Sequence, residues 1–273
     1  MPDENADSPG ALENPLKKML REGKPVIGTT ITVPSAETAA QAATLGFDFL
    51  WIEMEHSPIT LETLRIMVLA TRGLKAVPIV RVPVNELWTA KRVLDVGALG
   101  VIFPFCSTPE LARQAVAACK YPPHGRRGSG PGLAAFRWPA PEGYHTFADQ
   151  NVMVVVIVEE ERAVEQIDAI AATPGVDVIF VGTSDLSFSM GYRGDSSQPR
   201  VQDALKKIVA AGKANNKVLG LPVKDSDQIK KYFDQGFQWF QTMTELGLMA
   251  RGAQQLLEPL GRTAEPRPKG LLY

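Results

Sequence analysis

Eight short apolar segments recur along the chain, and nearly every one is followed by an amphipathic stretch long enough for a helix. The segments are 26–31 (VIGTTI), 48–53 (DFLWIE), 77–82 (VPIVRV), 99–103 (LGVIF), 152–158 (VMVVVIV), 177–181 (DVIFV), 217–221 (KVLGL) and 238–242 (QWFQT). Stretches such as LETLRIMVLATRG, ELWTAKRVLDVG, PELARQAVAACK and VQDALKKIVAAGK place apolar residues near i, i+3, i+4 and i+7, one face of a helix. Gly46, Gly73, Gly97 and Gly236 stand where such helices would end. Strand–helix alternation calls for parallel strands joined by right-handed crossovers. Eight units in a chain of 273 residues fit a closed barrel, which typically needs about 250. The rival is an open doubly wound sheet, which usually carries G-x-G-x-x-G after its first strand; the turn here reads TVPSAE. The expected architecture is therefore one (β/α)8 TIM barrel over residues 12–260. A disordered N-terminal tail (1–11) and a proline-bearing C-terminal tail (261–273) would flank it.

Charge narrows the function classes. Lys and Arg (29) nearly balance Asp and Glu (30), for a formal net charge of −1. That leaves no strong basic field for nucleic acid or an anionic lipid surface. No run of about 18 apolar residues suggests a membrane span, and the acidic start MPDENADSPG is unlike a secretory signal. Cys106 and Cys119 form neither a C-x-x-C pair nor a zinc ribbon, so a reduced, cytoplasmic protein is the simplest expectation.

In a (β/α)8 barrel the catalytic groups sit at the C-terminal ends of the strands. That rule gathers residues distant in sequence onto one face. The second strand ends in Glu53, Glu55 and His56. The third ends in Arg81, inside an otherwise apolar VPIVRVP run. The fifth ends in Glu159 after seven residues without a polar side chain, and Asp185 lies just past the sixth. Each has an ordinary structural reading. Glu159 would suit the first turn of the next helix, where the dipole favours an acid. Asp185 would suit a helix N-cap. Arg81 would pair with Glu53 or Glu55 at the rim, and His56 would be a satisfied loop residue. Structural caps, however, need not converge on one face.

Two carboxylates on adjacent strands, Glu159 and Asp185, suit a hard divalent cation such as Mg2+ or Mn2+, which keeps water or substrate oxygens as its other ligands. A protein-only zinc cage does not fit, because Cys106 and Cys119 lack ligand spacing and His124 and His145 lie in loops. Such a cation would chelate a 2-oxo acid and stabilise its enolate as a Lewis acid. Arg81 would add positive charge at the developing oxygen. His56, oriented by Glu53 or Glu55, would move the proton. A second cluster, YPPHGRRGSGPG over residues 121–132, reads equally as an anion cradle of backbone N–H groups and guanidinium or as a mobile Pro- and Gly-rich loop.

The segments FDFLWIEMEHSP, VPIVRVP, LDVGALGVIFPFCSTPELARQAV, YPPHGRRGSG, VEEERAVEQIDAI and GVDVIFVGTSDLSFSMGYRG together resemble the HpcH/HpaI aldolases, class II metal-dependent pyruvate aldolases. These include the 2,4-dihydroxyhept-2-ene-1,7-dioate and 2-dehydro-3-deoxyglucarate aldolases. The match runs in family order over roughly residues 15–260. The resemblance implies a (β/α)8 barrel, commonly a homohexamer or trimer of dimers, whose last helix is exchanged between neighbouring subunits. It implies a metal held by Glu159 and Asp185, with Mg2+ or Mn2+ expected and Co2+ a further candidate. The substrate would be held by Arg81 and by the backbone of Thr183, Ser184 and Asp185. His56, Glu53 and Arg81 would be the catalytic residues. The implied reaction is reversible cleavage of a 4-hydroxy-2-oxo acid to pyruvate and an aldehyde. The alternatives are a macrophomate synthase-like oxaloacetate decarboxylase on the same site, or a barrel that has lost catalysis.

Four positions depart from the family pattern. Glu53 stands where Asp is usual, and Ile157 where a Gln commonly precedes the metal Glu by two. Gly182-Thr-Ser-Asp185 replaces Gly-Pro-Ala-Asp, and Met243-Thr-Glu245 replaces a small residue followed by Asp. These leave aldehyde choice, and the balance between aldol cleavage and decarboxylation, open.

Overall fold

The computed structural model describes residues 12–262; the tail expected at 1–11, and that expected at 261–273 apart from Gly261 and Arg262, lie outside the described residues. Eight strands are present: β1 (Val26–Ile31), β2 (Phe49–Glu53), β3 (Val77–Arg81), β4 (Gly100–Phe103), β5 (Met153–Val158), β6 (Val178–Val181), β7 (Val218–Pro222) and β8 (Trp239–Thr244). They pair in sequence order, all parallel, and close between β8 and β1. The fold is a single-domain (β/α)8 barrel, as the alternation requires. Gly46, Gly73, Gly97 and Gly236 all have positive φ, which lets the chain reverse after each helix.

The interior is filled by side chains rather than left as a pore. Phe49 and Trp239 pack at 4.2 Å between ring centroids and Trp51 against Phe180 at 4.8 Å. Gly28 on β1 leaves room for the Phe49 ring, since a Cβ there would lie 2.2 Å from it. At the bottom, the helix Pro15–Arg21 lies beside the N-terminal ends of the strands and buries Leu16 and Leu20. Asn14 and Asn151 tie it to the barrel with reciprocal bonds of 2.7 and 2.8 Å.

Three features differ from expectation. First, β8 runs two residues further, to Thr244. The apolar signal stops at Thr242, but threonine hydroxyls extend the pairing: Thr242 Oγ1 donates to the Gly28 carbonyl and Thr29 Oγ1 to that of Met243, across a register shift between Gly28 and Thr30. Second, the long β4–β5 connection folds its own helices, Gly132–Arg137 and Tyr144–Asn151. Third, the 121–132 cluster is not an open anion cradle. The N–H groups of Gly125, Arg126 and Arg127 donate to the carbonyls of Tyr121, Ala117 and Lys120. Arg127 is buried, pairs with Asp95 at 2.9 Å and stacks on Tyr121. Its guanidinium serves packing, because a buried charge must be paired where it lies.

The last helix, Glu245–Leu257, buries none of its residues within the chain. Met249 and Leu256 are 66% and 72% exposed. Its base is fixed by Glu245, whose carboxylate accepts from the backbone N–H groups of Thr32 (2.7 Å) and Val33 (2.5 Å) at the end of β1.

Candidate active site

A cavity of about 180 Å3 opens at the C-terminal ends of the strands, lined among others by Trp51, Glu53, Arg81, Glu159, Thr183 and Asp185. The barrel has gathered residues from β2, β3, β5 and the turn after β6 into one place, as the strand-end rule anticipates.

The most ordered part is built on β2 and β3, where Glu53 and Arg81 are directly paired in register. Glu53 is buried and accepts from every side. Its Oε2 takes Arg81 Nε at 2.6 Å and Trp51 Nε1 at 3.1 Å, and its Oε1 takes the backbone N–H groups of Glu55 (2.7 Å) and His56 (3.0 Å). Glu53 thus holds His56 through the main chain, while the imidazole lies 3.7 Å from Glu55 Oε2 and is itself half-exposed. The same Glu55 oxygen sits 3.0 Å from Arg81 Nη1 but makes no hydrogen bond of good geometry. Burial pushes the Glu55 carboxyl up to about 7. Arg81 opposes that rise, and Glu53 and Asp185 add to it.

Glu159 follows β5 and is 3% exposed. It is not a first-turn acid, since the next helix begins at Glu161. Its Oε1 accepts from the Phe105 N–H at 2.7 Å. Phe105 reaches it from a left-handed backbone conformation, φ 52°, uncommon for a bulky residue and a cost the fold carries at this rim. The other oxygen lies against the turn after β6: a Cβ on Gly182 would come within 2.9 Å of it, so Gly is required there. Burial pushes the Glu159 carboxyl up to about 7. The Phe105 N–H and Arg81 oppose the rise, while Glu55 and Asp185 add to it. Asp185 is not an N-cap either. Gly182 is the N-cap, and Asp185 sits in the first turn of Thr183–Ser189, exposed at the cavity rim. The N–H groups of that first turn have no partner within their own helix.

Four carboxylates, Glu53, Glu55, Glu159 and Asp185, thus gather around the Arg81 guanidinium, and burial raises two of them, Glu55 and Glu159. The donor set is all carboxylate oxygen, which fits a hard divalent cation. Among the described residues no three His, Cys, Asp or Glu side chains form a closed ligand set, so a cation here would take further ligands from substrate or water. Sequence reasoning gave Glu55 only an orienting role and missed Trp51. The alternating spacing Trp51, Glu53, Glu55 was the available signal, since alternate strand residues share a face.

Comparison with known proteins agrees with this geometry. The family model described as HpcH/HpaI aldolase/citrate lyase matches residues 31–251. The chain is 35% identical over 245 residues to a 5-keto-4-deoxy-D-glucarate aldolase of Salmonella arizonae, covering 90% of this chain and 96% of that protein. It is 34% identical over 237 residues to a hydroxypyruvate/pyruvate aldolase of Roseobacter denitrificans, covering 86% and 93%. Among solved structures, an HpcH/HpaI aldolase/citrate lyase family protein from Burkholderia cenocepacia J2315 superposes with a TM-score of 0.84 at 34% identity, covering 91% of this chain and all of that one. With that barrel and these strand-end carboxylates, the chain is a carbon–carbon lyase and belongs to the HpcH/HpaI aldolase/citrate lyase family.

Proposed function

We propose that this enzyme reversibly cleaves a 4-hydroxy-2-oxo acid to pyruvate and an aldehyde, with a divalent cation, Mg2+ or Mn2+, held by Glu159 and Asp185. The observation that carries the reading is the convergence of Arg81 with a surplus of carboxylates on one strand-end cavity. The cation supplies Lewis acidity for the enolate of the 2-oxo acid. The chain's own groups do the rest. The N–H groups of Thr183, Ser184 and Asp185 receive the substrate carboxylate. Arg81, held by Glu53 and Glu55, sets its guanidinium where negative charge grows on the keto oxygen. Glu55, with its carboxyl near neutrality, and His56 beside it form the acid/base pair that takes the 4-hydroxyl proton and returns it. The aldolase names of the relatives in Salmonella arizonae and Roseobacter denitrificans support the same reaction class.

The test is pyruvate release from a panel of 4-hydroxy-2-oxo acids, with oxaloacetate included, before and after chelation and with Mg2+, Mn2+ or Co2+ restored. Retro-aldol turnover that needs a divalent ion supports the reading. Turnover unaffected by a chelator, or turnover of oxaloacetate alone, overturns it.

The same proposal makes the enzyme a homo-oligomer in which the helix Glu245–Leu257 packs on a neighbouring subunit. The support is that no residue of this amphipathic helix is fully buried on its own barrel. Light scattering on Leu256→Glu should give a smaller species than the parent. A cytoplasmic location is supported by two buried free thiols, Cys106 and Cys119, both pushed by burial up to about 12 and so unreactive. Among the described residues no helix is long and apolar enough to cross a membrane.

A further inference from the structure

The near-neutral total charge hides a polarised barrel. The mouth gathers carboxylates around one guanidinium. At the opposite end, beside the N-terminal ends of β5 to β8, a cavity of about 670 Å3 is lined by Lys17, Arg21, Lys213 and Lys217, with Asp177 as its one acid. Asp177 is already committed: Oδ1 lies 3.1 Å from Lys17 Nζ and Oδ2 accepts the Val154 N–H at 2.9 Å. Arg21 pairs with Glu13 at 2.7 Å. Among the described residues the other two cations, Lys213 and Lys217, form no ion pair. Among the described residues Lys217 Nζ donates to neutral carbonyls, those of Thr173 and Val176, each at 2.9 Å. Lys213 forms no ion pair among the described residues and rests its stem on Gly236, where a Cβ would come 2.7 Å from its Cε. Lys120, on the wall of a neighbouring cavity, has its ammonium pushed down by burial and by Lys17, with Asp177 and Asp149 opposing. Burial likewise lowers Lys217, with Asp177 opposing. An anion in the cavity would supply charge that Asp177 alone does not balance against Lys17, Lys213 and Lys217.

We infer that this basal cavity is a second ligand site, distinct from the catalytic mouth, that binds a small polyanion bearing carboxylate or phosphate groups. The volume is within the range of small-molecule sites. Asn216 and Gln238 on its wall add neutral amide donors, so an oxyanion there finds both charge and hydrogen bonds. Whether carboxylate or phosphate is preferred is decided by the probes.

The experiment is calorimetric titration of the metal-loaded, full-length enzyme with 1,2,3-propanetricarboxylate and, separately, with inorganic phosphate. Both are run on the wild type, on Lys213→Glu and Lys213→Gln, and on Arg81→Ala as a control at the mouth. The expected result is saturable binding of at least one probe, near one per chain, unchanged by Arg81→Ala. Lys213→Gln should weaken it about fivefold and Lys213→Glu more, with turnover in anion-poor buffer preserved. The stronger probe names the ligand class. Lys213 is exposed, so both variants should fold, as circular dichroism would verify. No saturable binding of either probe, binding that survives Lys213→Glu, or binding lost with Arg81→Ala would each overturn the inference.

Discussion

Glu53 and Arg81 face each other across the β2–β3 pair, with Arg81 Nε 2.6 Å from Glu53 Oε2 and both side chains withdrawn from solvent. The extra methylene of Glu53 is used: its carboxylate reaches Arg81, the Trp51 indole and two backbone N–H groups at once. Arg81 is therefore held in place before substrate arrives.

Arg81→Ala should act on both chemistry and folding. Loss of a donor aimed at developing charge should lower kcat about a hundredfold or more, with a smaller change in KM. It also leaves Glu53 charged and buried, so stability should fall by about 3 kcal/mol. Steady-state kinetics and urea denaturation measure the two effects. Undiminished kcat would remove Arg81 from the mechanism.

Trp51→Phe keeps the ring packed on Phe180 but deletes the N–H that holds Glu53 Oε2. Stability should drop by about 1 kcal/mol. If Glu53 positions Arg81, kcat should fall roughly tenfold with KM little changed. In an Arg81→Ala background the same substitution should cost much less. Equal losses in both backgrounds would show that Trp51 acts independently of Arg81.

Glu159→Gln should abolish divalent-ion dependence and reduce turnover by about a thousandfold or more. The fold should survive, because a neutral amide replaces a carboxylate that burial already disfavours. Metal titration followed by calorimetry reads the loss directly; tight binding retained by the variant would exclude Glu159 as a ligand.

The metal-free enzyme should lose stability as pH rises. Glu55 and Glu159 are raised from 4.5 to about 7 in the folded state. The folded protein then binds protons that the unfolded chain has released, so their contribution is full below about 4.5 and fades as pH rises through about 7. Thermal melts in a chelator from pH 4.5 to 8 should show that decline. Added Mg2+ or Mn2+ should lessen it, and Glu159→Gln should remove part of it. A Tm that climbs through this window would contradict both assignments.

Much of this was legible in the sequence. Strand and helix periods are local properties of the chain, so the eight strands fall within one or two residues of expectation, and the barrel rule then places Glu53, His56, Arg81, Glu159 and Asp185 on one end. The exceptions are instructive. Thr242 and Thr29 extend β8 through hydroxyl bonds to partners 214 residues away, which no local apolar pattern records. The Arg127 segment reads equally as an anion cradle or a mobile loop, but Asp95, Tyr121 and Tyr144 bury its guanidinium.

The sequence by itself determined the element order, the barrel and the end on which the candidate site residues gather, because hydrophobic period and strand order suffice for those. Only the tertiary structure decided which carboxylate meets which cation, since burial and partner choice depend on residues brought together from separate strands. It put Glu53 on Arg81 and Trp51, raised the Glu55 and Glu159 carboxyls by burial, and left the final helix without a fully buried residue. It also divided a net charge of −1 into an acidic mouth and a basic floor, a separation invisible to any sum over the chain.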